Sequence, residues 1–419
     1  FFLFFPLLVF SLNSNQPLGF LENSDSKVQY YEILEKPPSQ IEEIKGAPLQ
    51  VGIPVNLNLS LEKIGNFNFT KEGKNFWQMG FYAPNFLWIS FEFETFKIPK
   101  SARFFIFKDK NLYFEIPLGE DDFLVIPPFP SNRCVLEIDF QGTLEPFEMK
   151  LSTVVLGFKD FLGRSSSGPC QVDVNCPEGA DWQNEKRSVA IVYFSGYVCT
   201  GALINNARKD CKNYFLTAHH CIGNQSLAEK TIFYWDYEWT ECGGGDLNYS
   251  NYSKGADLRA TNQASDFSLL ELKDKPPYKF RLYYSGWTID PTPAQGAVVI
   301  HHPSGDAKKI SFEQHTLLKS GDFWKNPHYE IGTTEPGSSG SPLYNMDHKI
   351  LGQLYGGVSA CGNPKNQMWD IYGAFYVSWD KGKNSATRLK DWLDPDNTGL
   401  IEVDGMDSRV CYTGHPRPF

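Results

Sequence analysis

Short strand-like runs separated by turn residues dominate this 419-residue chain and constrain its fold most strongly. Residues 87–93 alternate apolar and polar side chains, and residues 104–107, 112–116 and 135–140 are further short apolar runs. Aromatic residues make up 15% of the chain, and 35 Gly and 27 Pro interrupt it. Because aromatic side chains favour strands and Gly and Pro end them, the sequence predicts a mainly β protein.

Length and charge narrow the architecture and the partners. A chain of 419 residues is too long for one small core, so two or three domains are expected. The net charge of −10 leaves no surplus of basic residues to neutralise phosphates, so nucleic acid is not an expected partner. No later segment is long and apolar enough to span a membrane, and no membrane partner is expected.

The first residues have the pattern of an export signal. Residues 1–12 form an apolar run that is too short to cross a bilayer, and polar residues follow it. We interpret residues 1–14 as part of a signal peptide, which predicts a secreted protein; a buried N-terminal strand is the alternative.

The nine cysteines divide the chain. Eight lie at or after Cys170, and only Cys134 precedes them. This asymmetry and the use of cysteine predict a disulfide-poor leading domain and a disulfide-linked trailing domain in an oxidising compartment. The expected order is a β-sandwich-like domain (28–158), a cleavable linker (159–169), a second β domain (170–405) and a tail (406–419). Near the end, Leu389, Trp392 and Leu393 share one face of a predicted helix, with Asn384 or Ser385 as its cap.

Three segments carry the chemistry. An apolar run ends in His219-His220-Cys221, Asp266 opens an alternating strand, and Ser339 lies between glycines in Gly337-Ser338-Ser339-Gly340. Each segment alone is a weak indication of a catalytic residue. The order His, Asp, Ser, however, is that of one version of the serine-protease triad.

The residue types suit acyl transfer. An imidazole can take the proton of a serine hydroxyl if a carboxylate orients it, which predicts His220 as base, Asp266 as its partner and Ser339 as nucleophile, with Ser338 as the alternative. The backbone amides of Gly337 and Ser339 would form the oxyanion hole.

The sequence resembles the lysyl endopeptidases, secreted chymotrypsin-like serine proteases, from about residue 168 to residue 405. The resemblance rests on dispersed motifs: Cys176-Pro177-Glu178-Gly179, Cys199-Thr200-Gly201, residues 214–221, Ile300-His301-His302-Pro303, residues 334–342, Leu351-Gly352-Gln353-Leu354 with Gly356-Gly357, and Asp391-Trp392-Leu393-Asp394-Pro395. Residues 77–158 are similar, more loosely, to the pro-region of such enzymes.

The resemblance implies a two-barrel chymotrypsin-like protease domain with a C-terminal helix, preceded by a pro-domain. It also implies three disulfides, Cys170–Cys361, Cys176–Cys242 and Cys199–Cys221. Cys211 and Cys411 have no partner from the resemblance, and we predict that they pair with each other.

Specificity is expected to come from a late segment. The position six residues before Ser339 is Thr333, so a trypsin-style acidic pocket is not predicted. The resemblance implies that Asp370, before Tyr372-Gly373, binds a substrate lysine, with Tyr355 and Gly356 lining the pocket and Trp324 as a stacking residue. The alternative is that Asp370 only caps a turn.

The prediction is therefore a secreted, monomeric serine endopeptidase that cuts proteins or peptides after Lys, with Arg left open. Processing would fall after Lys159 or after Arg164, which would make Ser165 the mature start. No cofactor is expected, and His301 and His302 are not expected to bind metal, because adjacent side chains on a strand point to opposite faces. The alternatives are an inactive protease-like binding or adhesion module and a protease with a different primary preference.

Overall fold

The computed structural model describes residues 16–21, 28–40, 44–70, 72–119, 122–160 and 167–412. The predicted signal peptide, Arg164, Ser165 and the end of the tail lie outside the described residues. The remaining chain is mainly strand, which confirms the predicted fold class.

The strands before residue 160 are β1 (Tyr30–Glu32), β2 (Leu49–Gln50), β3 (Gly52–Ser60), β4 (Asn66–Phe69), β5 (Asn75–Tyr82), β6 (Trp88–Lys97), β7 (Arg103–Asp109), β8 (Leu112–Glu115), β9 (Leu124–Phe129), β10 (Arg133–Asp139) and β11 (Glu148–Gly157). The runs 87–93, 104–107, 112–116 and 135–140 lie on β6, β7, β8 and β10 to within one residue at an end, and the run 1–12 lies outside the described residues.

Later strands are β12 (Val172–Asp173), β13 (Val189–Phe194), β14 (Tyr197–Leu203), β15 (Tyr214–Ala218), β16 (Ile232–Tyr234), β17 (Trp239–Glu241), β18 (Gly244–Leu247), β19 (Tyr252–Lys254), β20 (Ala256–Asn262), β21 (Phe267–Leu272), β22 (Tyr283–Tyr284), β23 (Gly286–Thr288), β24 (Gln295–His301), β25 (Lys309–Thr316), β26 (Leu318–Ser320), β27 (Phe323–Asn326), β28 (Pro342–Tyr344), β29 (Lys349–Gly357), β30 (Asp370–Ala374), β31 (Glu402–Val403) and β32 (Met406–Asp407).

Helices are short. The α-helices are α1 (Gln225–Lys230), α2 (Phe375–Asp380) and α3 (Lys390–Leu393), and the 3-10 helices are Leu18–Leu21, Leu61–Lys63, Pro177–Trp182, Glu185–Ser188, Tyr278–Phe280, Pro303–Gly305, Lys365–Gln367, Ser385–Thr387 and Ser408–Cys411. The predicted C-terminal helix is thus α3, preceded by a 3-10 turn that Asn384 caps through the Ala386 amide. None of the helices in the described part of the chain has the length and apolar character needed to span a bilayer.

The chain forms two units. The first contains residues 1–37 and 54–158, and the second contains residues 38–53 and 159–419. Residues 38–53 therefore belong to the second unit, although the sequence pattern groups them with the leading domain.

The first unit consists of two sheets. One has the order β1-β5-β10-β7-β8 with β4 also on β5, and the other has the order β3-β11-β6-β9. Phenylalanines from both sheets interlock, as Phe81 of β5 meets Phe91 of β6 edge to face at 5.0 Å. This arrangement agrees with the expected β-sandwich.

The second unit also has two main sheets, the number expected for a chymotrypsin-like domain. The sheet β19-β16-β13-β14-β15-β21-β20 carries β2 on β14. The sheet β12-β25-β24-β28-β29-β30-β27-β26 carries β23 on β29, and β31 pairs with β23. One buried cluster draws from both sheets and from α3, including Leu216, Ile300, Trp287 and Leu393. Apolar packing of this kind fixes how the loops at the strand ends face one another.

Candidate active site

His220 and Asp266 follow from the pairing of two strands. Strands β15 and β21 are antiparallel with Ala218 opposite Phe267, so the turn after β15 and the turn before β21 lie side by side. Asp266 adopts a left-handed φ of 55°, a region in which Asp is enriched among non-glycine residues. Its Oδ1 accepts the His220 backbone N–H at 3.0 Å, and its Oδ2 lies 2.8 Å from His220 Nδ1.

This contact defines what the imidazole can do. Asp266 is buried and holds one ring nitrogen of His220, which fixes the tautomer and ring orientation. The other nitrogen, Nε2, is buried and has no hydrogen-bond partner among the described residues. His219, in contrast, points its Nδ1 at Thr261 Oγ1, 2.7 Å away. The His219 backbone N–H donates to the Asp266 carbonyl at 2.9 Å. Of the two adjacent imidazoles, only that of His220 therefore contacts the Asp266 carboxylate.

Ser339 lies in a tight loop packed against the same sheet. Its carbonyl accepts the Thr200 N–H at 2.8 Å, and Thr200 Oγ1 donates to Gly337 O at 2.9 Å. Gly340 has φ 81°, and a Cβ there would lie 2.3 Å from Thr217 Oγ1 and 2.8 Å from Ala218 N. Glycine is required at this point, because the loop touches the end of β15, the strand that leads to His220.

The amides of the loop are available for an anion. Gly337 has φ 96°, which turns the backbone sharply before the serine. Within the described residues, neither the Gly337 N–H nor the Ser339 N–H donates a hydrogen bond. Two free, neighbouring amides are the donors that an oxyanion hole needs.

Ser338 has a different environment. It is fully buried, its Oγ lies 2.8 Å from His301 Nδ1, and it accepts the Glu335 N–H at 3.2 Å. His301 Nε2 in turn lies 2.9 Å from Ser311 Oγ, and burial lowers the pKa of His301 well below its usual value. His301 is thus a neutral, buried residue that holds Ser338, so Ser338 is a poor candidate for the nucleophile.

Asp370 is the first residue of β30 and lies among buried polar side chains. It is opposite Gly357 on the paired strands β29 and β30, where a Cβ on Gly357 would lie 2.2 Å from Asp370 Oδ1. Its Oδ2 accepts three hydroxyls, from Tyr329 at 2.9 Å, Thr334 at 2.6 Å and Ser359 at 2.6 Å. Asp370 is fully buried, so it is not a surface cap.

The three hydroxyl residues were not found from the sequence. Thr334 and Ser359 are small polar residues of an ordinary type, and only the tertiary structure directs them to one oxygen. Burial, with the charge of Asp370, raises the pKa of Tyr329 well above its usual value, so this donor stays protonated. Neutral donors orient the carboxylate and leave its negative charge for a cation.

A lysine of this chain supplies that cation. Lys45 Nζ donates to Asp370 Oδ1 at 3.0 Å and to Ser359 Oγ at 2.5 Å. Burial lowers the pKa of Lys45, and the ion pair with Asp370 opposes this effect. Both residues belong to the second unit.

Aromatic side chains flank the cavity beside His220. Tyr355, 39% exposed, meets the His220 ring edge to face at 5.8 Å and the Phe323 ring at 5.5 Å. The cavity measures about 370 Å³ and is lined by Gly46, His219, His220, Gln263, Asp266, Phe323, Tyr355 and Ile371. Gly356 lies beside it, with its α-carbon facing the backbone of Lys45 and Gly46.

Trp324 does not lie in this cavity. Its indole is fully buried in a separate cluster, donates to Leu351 O at 3.2 Å and packs on Tyr376. The neighbouring Phe323 lines the cavity instead. Alternate residues of β27 point to opposite faces, so an error of one position reverses the assignment.

The cysteines form four pairs. These are Cys170–Cys361, Cys176–Cys242, Cys199–Cys221 and Cys211–Cys411, and Cys134 is free and buried. Cys199–Cys221 joins β14 to the turn that carries His220. This link limits movement of the His220 imidazole.

Among the residues that the structure describes, two groups of side chains are of types that can bind a metal ion. The group around His220 includes Cys199 and Cys221, whose sulfurs are joined to each other and cannot bind metal as thiolates. The second group is Glu313, His315, His328 and Glu330, whose imidazoles pair with the carboxylates. His301 and His302 bond separately, to Ser338 and to the Asp306 carbonyl.

Comparisons with known proteins agree with the resemblance. The sequence model of the family described as lysyl endopeptidase, C-terminal domain, matches residues 164–373, half of the chain. A lysyl endopeptidase of Pseudomonas aeruginosa is 31% identical over 289 residues, which cover 59% of this chain and 60% of that protein. The chain thus matches less than two thirds of that relative's length.

Solved structures with detectable similarity are more distant. A serine endoprotease from Yersinia pestis has a TM-score of 0.33 and 16% identity, and covers 46% of this chain and 61% of its own. A Glu endopeptidase in complex with MPD has a TM-score of 0.32 and 16% identity, over 45% and 85% of the two chains. TM-scores this low do not establish a shared topology, so the assignment rests on the family match. On that match, this chain belongs to the lysyl endopeptidase family.

Proposed function

We propose that this protein is a secreted serine endopeptidase that cleaves peptide bonds on the carboxyl side of lysine. The observation that carries the proposal is the buried Asp370 carboxylate, which already binds a lysine ammonium at 3.0 Å. The four disulfides and the family favour an extracellular setting.

The proposed reaction is acyl transfer through His220, Asp266 and Ser339. Ser339 Oγ attacks the backbone carbonyl carbon of the substrate lysine while His220 Nε2 takes the serine proton, and Asp266 stabilises the imidazolium. His220 then gives the proton to the leaving amine as the peptide C–N bond breaks, which leaves the acyl group on Ser339. Water attacks this acyl-enzyme with the same help from His220 and releases the acyl group as a carboxylic acid. Two observations support this role for His220. Its Nε2 has no hydrogen-bond partner among the described residues, and its Nδ1 lies 2.8 Å from Asp266 Oδ2.

The two free amides support charge stabilisation. As the carbonyl oxygen gains charge, the N–H groups of Gly337 and Ser339 would donate to it in a site shielded from water. Losing one such donor costs an enzyme about 100- to 1,000-fold in kcat.

The hydrogen bonds of Asp370 favour lysine over arginine. A guanidinium binds best when it contacts both carboxylate oxygens at once. Three hydroxyls occupy Oδ2, which leaves Oδ1 and the Ser359 hydroxyl for the cation. A compact ammonium can use both, whereas an arginine fork would lose one of its two bonds.

The test is digestion of a defined peptide mixture, with the new C-termini read by mass spectrometry. We expect lysine at the new C-termini, with arginine at least 10-fold less frequent. The Ser339→Ala variant should produce no new termini while its disulfide content is unchanged. Cleavage by that variant at the wild-type rate would remove Ser339 from the mechanism, and termini without lysine would refute the specificity.

A further inference from the structure

Residues 44–52 enter the proposed substrate site from within the second unit, and we call them the plug segment. Lys45 makes the main polar contacts of this segment. Its side chain is 11% exposed, and its ammonium donates to Asp370 and Ser359. A substrate lysine needs the same two partners. Only one cation can use Asp370 Oδ1 at a time, so the plug segment and a substrate exclude each other.

The backbone around Lys45 is folded into a turn. The Ala47 N–H donates to Ile44 O at 3.2 Å, and Gly46 has φ 87°, as the third position of a type II β-turn requires. The turn lies against the cavity wall, since a Cβ on Gly356 would be 2.7 Å from Gly46 N and 3.2 Å from the Lys45 carbonyl carbon. Gly46 also lines the cavity that contains His220 and Asp266.

The rest of the plug segment is anchored along β14. Leu49 and Gln50 pair antiparallel with Val198 and Tyr197, and the amides of Val51 and Gly52 both donate to Gly196 O, at 2.8 and 3.0 Å. Leu49 is buried, and its Cδ2 lies 3.3 Å from the position of a Cβ on Gly337, beside the nucleophile loop. The plug segment thus covers the nucleophile loop as well as the specificity pocket.

We propose that the plug segment is a tethered, lysine-bearing inhibitor of this enzyme, which keeps the uncut chain latent; this inference rests on the proposed function. Lys45 fills the specificity pocket as a substrate would. A peptide that binds as an added strand is extended. The β-turn holds the Lys45–Gly46 bond in a conformation that is not extended, so the enzyme does not cleave its own inhibitor there. The anchor on β14 holds the turn in place.

The expected strength of inhibition by the plug segment follows from its being part of the same chain. An intramolecular partner whose connection can span the two sites has an effective concentration that reaches the millimolar range. If a lysine side chain binds this pocket with a dissociation constant of about 0.1 mM, within the usual range of KM values, the plug segment reduces the open fraction about 10-fold. The preformed turn and the pairing with β14 should strengthen the inhibition further, because less conformational entropy is lost on binding.

The first test compares activity in the full chain. Lys45→Gln, the matched control Lys36→Gln on an exposed lysine, and the wild type are confirmed uncut by intact mass and assayed on a small peptide amide with lysine at the cleavage point. We expect the kcat/KM of Lys45→Gln to be at least 10-fold above that of the wild type, with Lys36→Gln unchanged. Equal values for all three would overturn the inhibitor while leaving the proposed function intact.

The second test does not depend on activity. In the Ser339→Ala chain, an amine-acylating reagent should modify Lys45 at least 10-fold more slowly than Lys36, and millimolar n-hexylammonium should remove this protection. Acylation of both lysines at equal rates would overturn the proposal even if Lys45→Gln fails to fold. A failure of the proposed function would give a different result. The chain would then cut peptides without preference for lysine, both before and after cleavage of its linker.

Discussion

Replacing Asp370 by Asn tests the specificity pocket most directly. The carboxylate is fully buried and accepts three hydroxyls on Oδ2 and a lysine ammonium on Oδ1. The amide keeps the size of the side chain but removes the negative charge. It therefore changes the interaction with a bound lysine while leaving the volume of the pocket nearly constant.

The expected loss follows from burial. Removing one partner of a buried ion pair costs about 3–5 kcal/mol, because the remaining charge is left without compensation. At about 1.4 kcal/mol for each factor of ten, this corresponds to a loss of roughly two to three and a half orders of magnitude in kcat/KM on lysine substrates. A substrate with methionine at the same position carries no charge and should lose less than about 10-fold.

The assay measures kcat/KM for matched lysine and methionine peptide amides with each variant. The ratio of the two values is the readout, because any release of the plug segment changes both substrates equally and cancels. Asp391→Asn, which removes a carboxylate from a half-buried pair with Arg388, is the control and should leave the ratio unchanged. An equal loss on both substrates in Asp370→Asn would show that Asp370 supports the fold and does not bind the substrate side chain.

Two further predictions concern stability. Burial, followed by contact with Asp139, raises the pKa of Glu137 in the first unit well above its usual 4.5. The raised pKa therefore contributes to the stability of that unit, and this contribution is complete below about pH 4.5. As the pH rises towards the pKa of the folded state, the contribution falls by up to about 1.4 kcal/mol per pH unit. Thermal unfolding between pH 5 and 8 should show this loss in the wild type and a flatter profile in Glu137→Gln; identical slopes would contradict it. Removing the Cys211–Cys411 disulfide, with both residues changed to Ala, should lower the free energy of unfolding by about 4 kcal/mol, because the bond closes a loop of 200 residues. Urea denaturation measures this change, and an unaltered midpoint would show that the chain between the two cysteines is not restrained by the bond when unfolded.

Much of this protein follows from local sequence. The strands of the first unit follow from apolar runs, because side chains alternate across a pleated sheet whatever the partner strand is. Asn384 at the start of the 3-10 turn before α3 follows from the chemistry of a side-chain cap. The candidates His220, Asp266 and Ser339 follow from their order and neighbours, since the glycines around the serine are needed for a tight turn.

Other features depended on which strands meet. Trp324 and Phe323 are adjacent and both aromatic, and only the pairing of β27 with β30 decides that the cavity receives Phe323. Tyr329 and Thr334 lie close together in sequence, Ser359 lies on a later loop, and all three reach one oxygen of Asp370 only because these segments converge there. Lys45 carries no local signal that distinguishes it from the other lysines. Its place beside Asp370, 325 residues away, is a long-range contact, and such contacts depend on how whole sheets and loops pack, which residue-by-residue patterns do not contain.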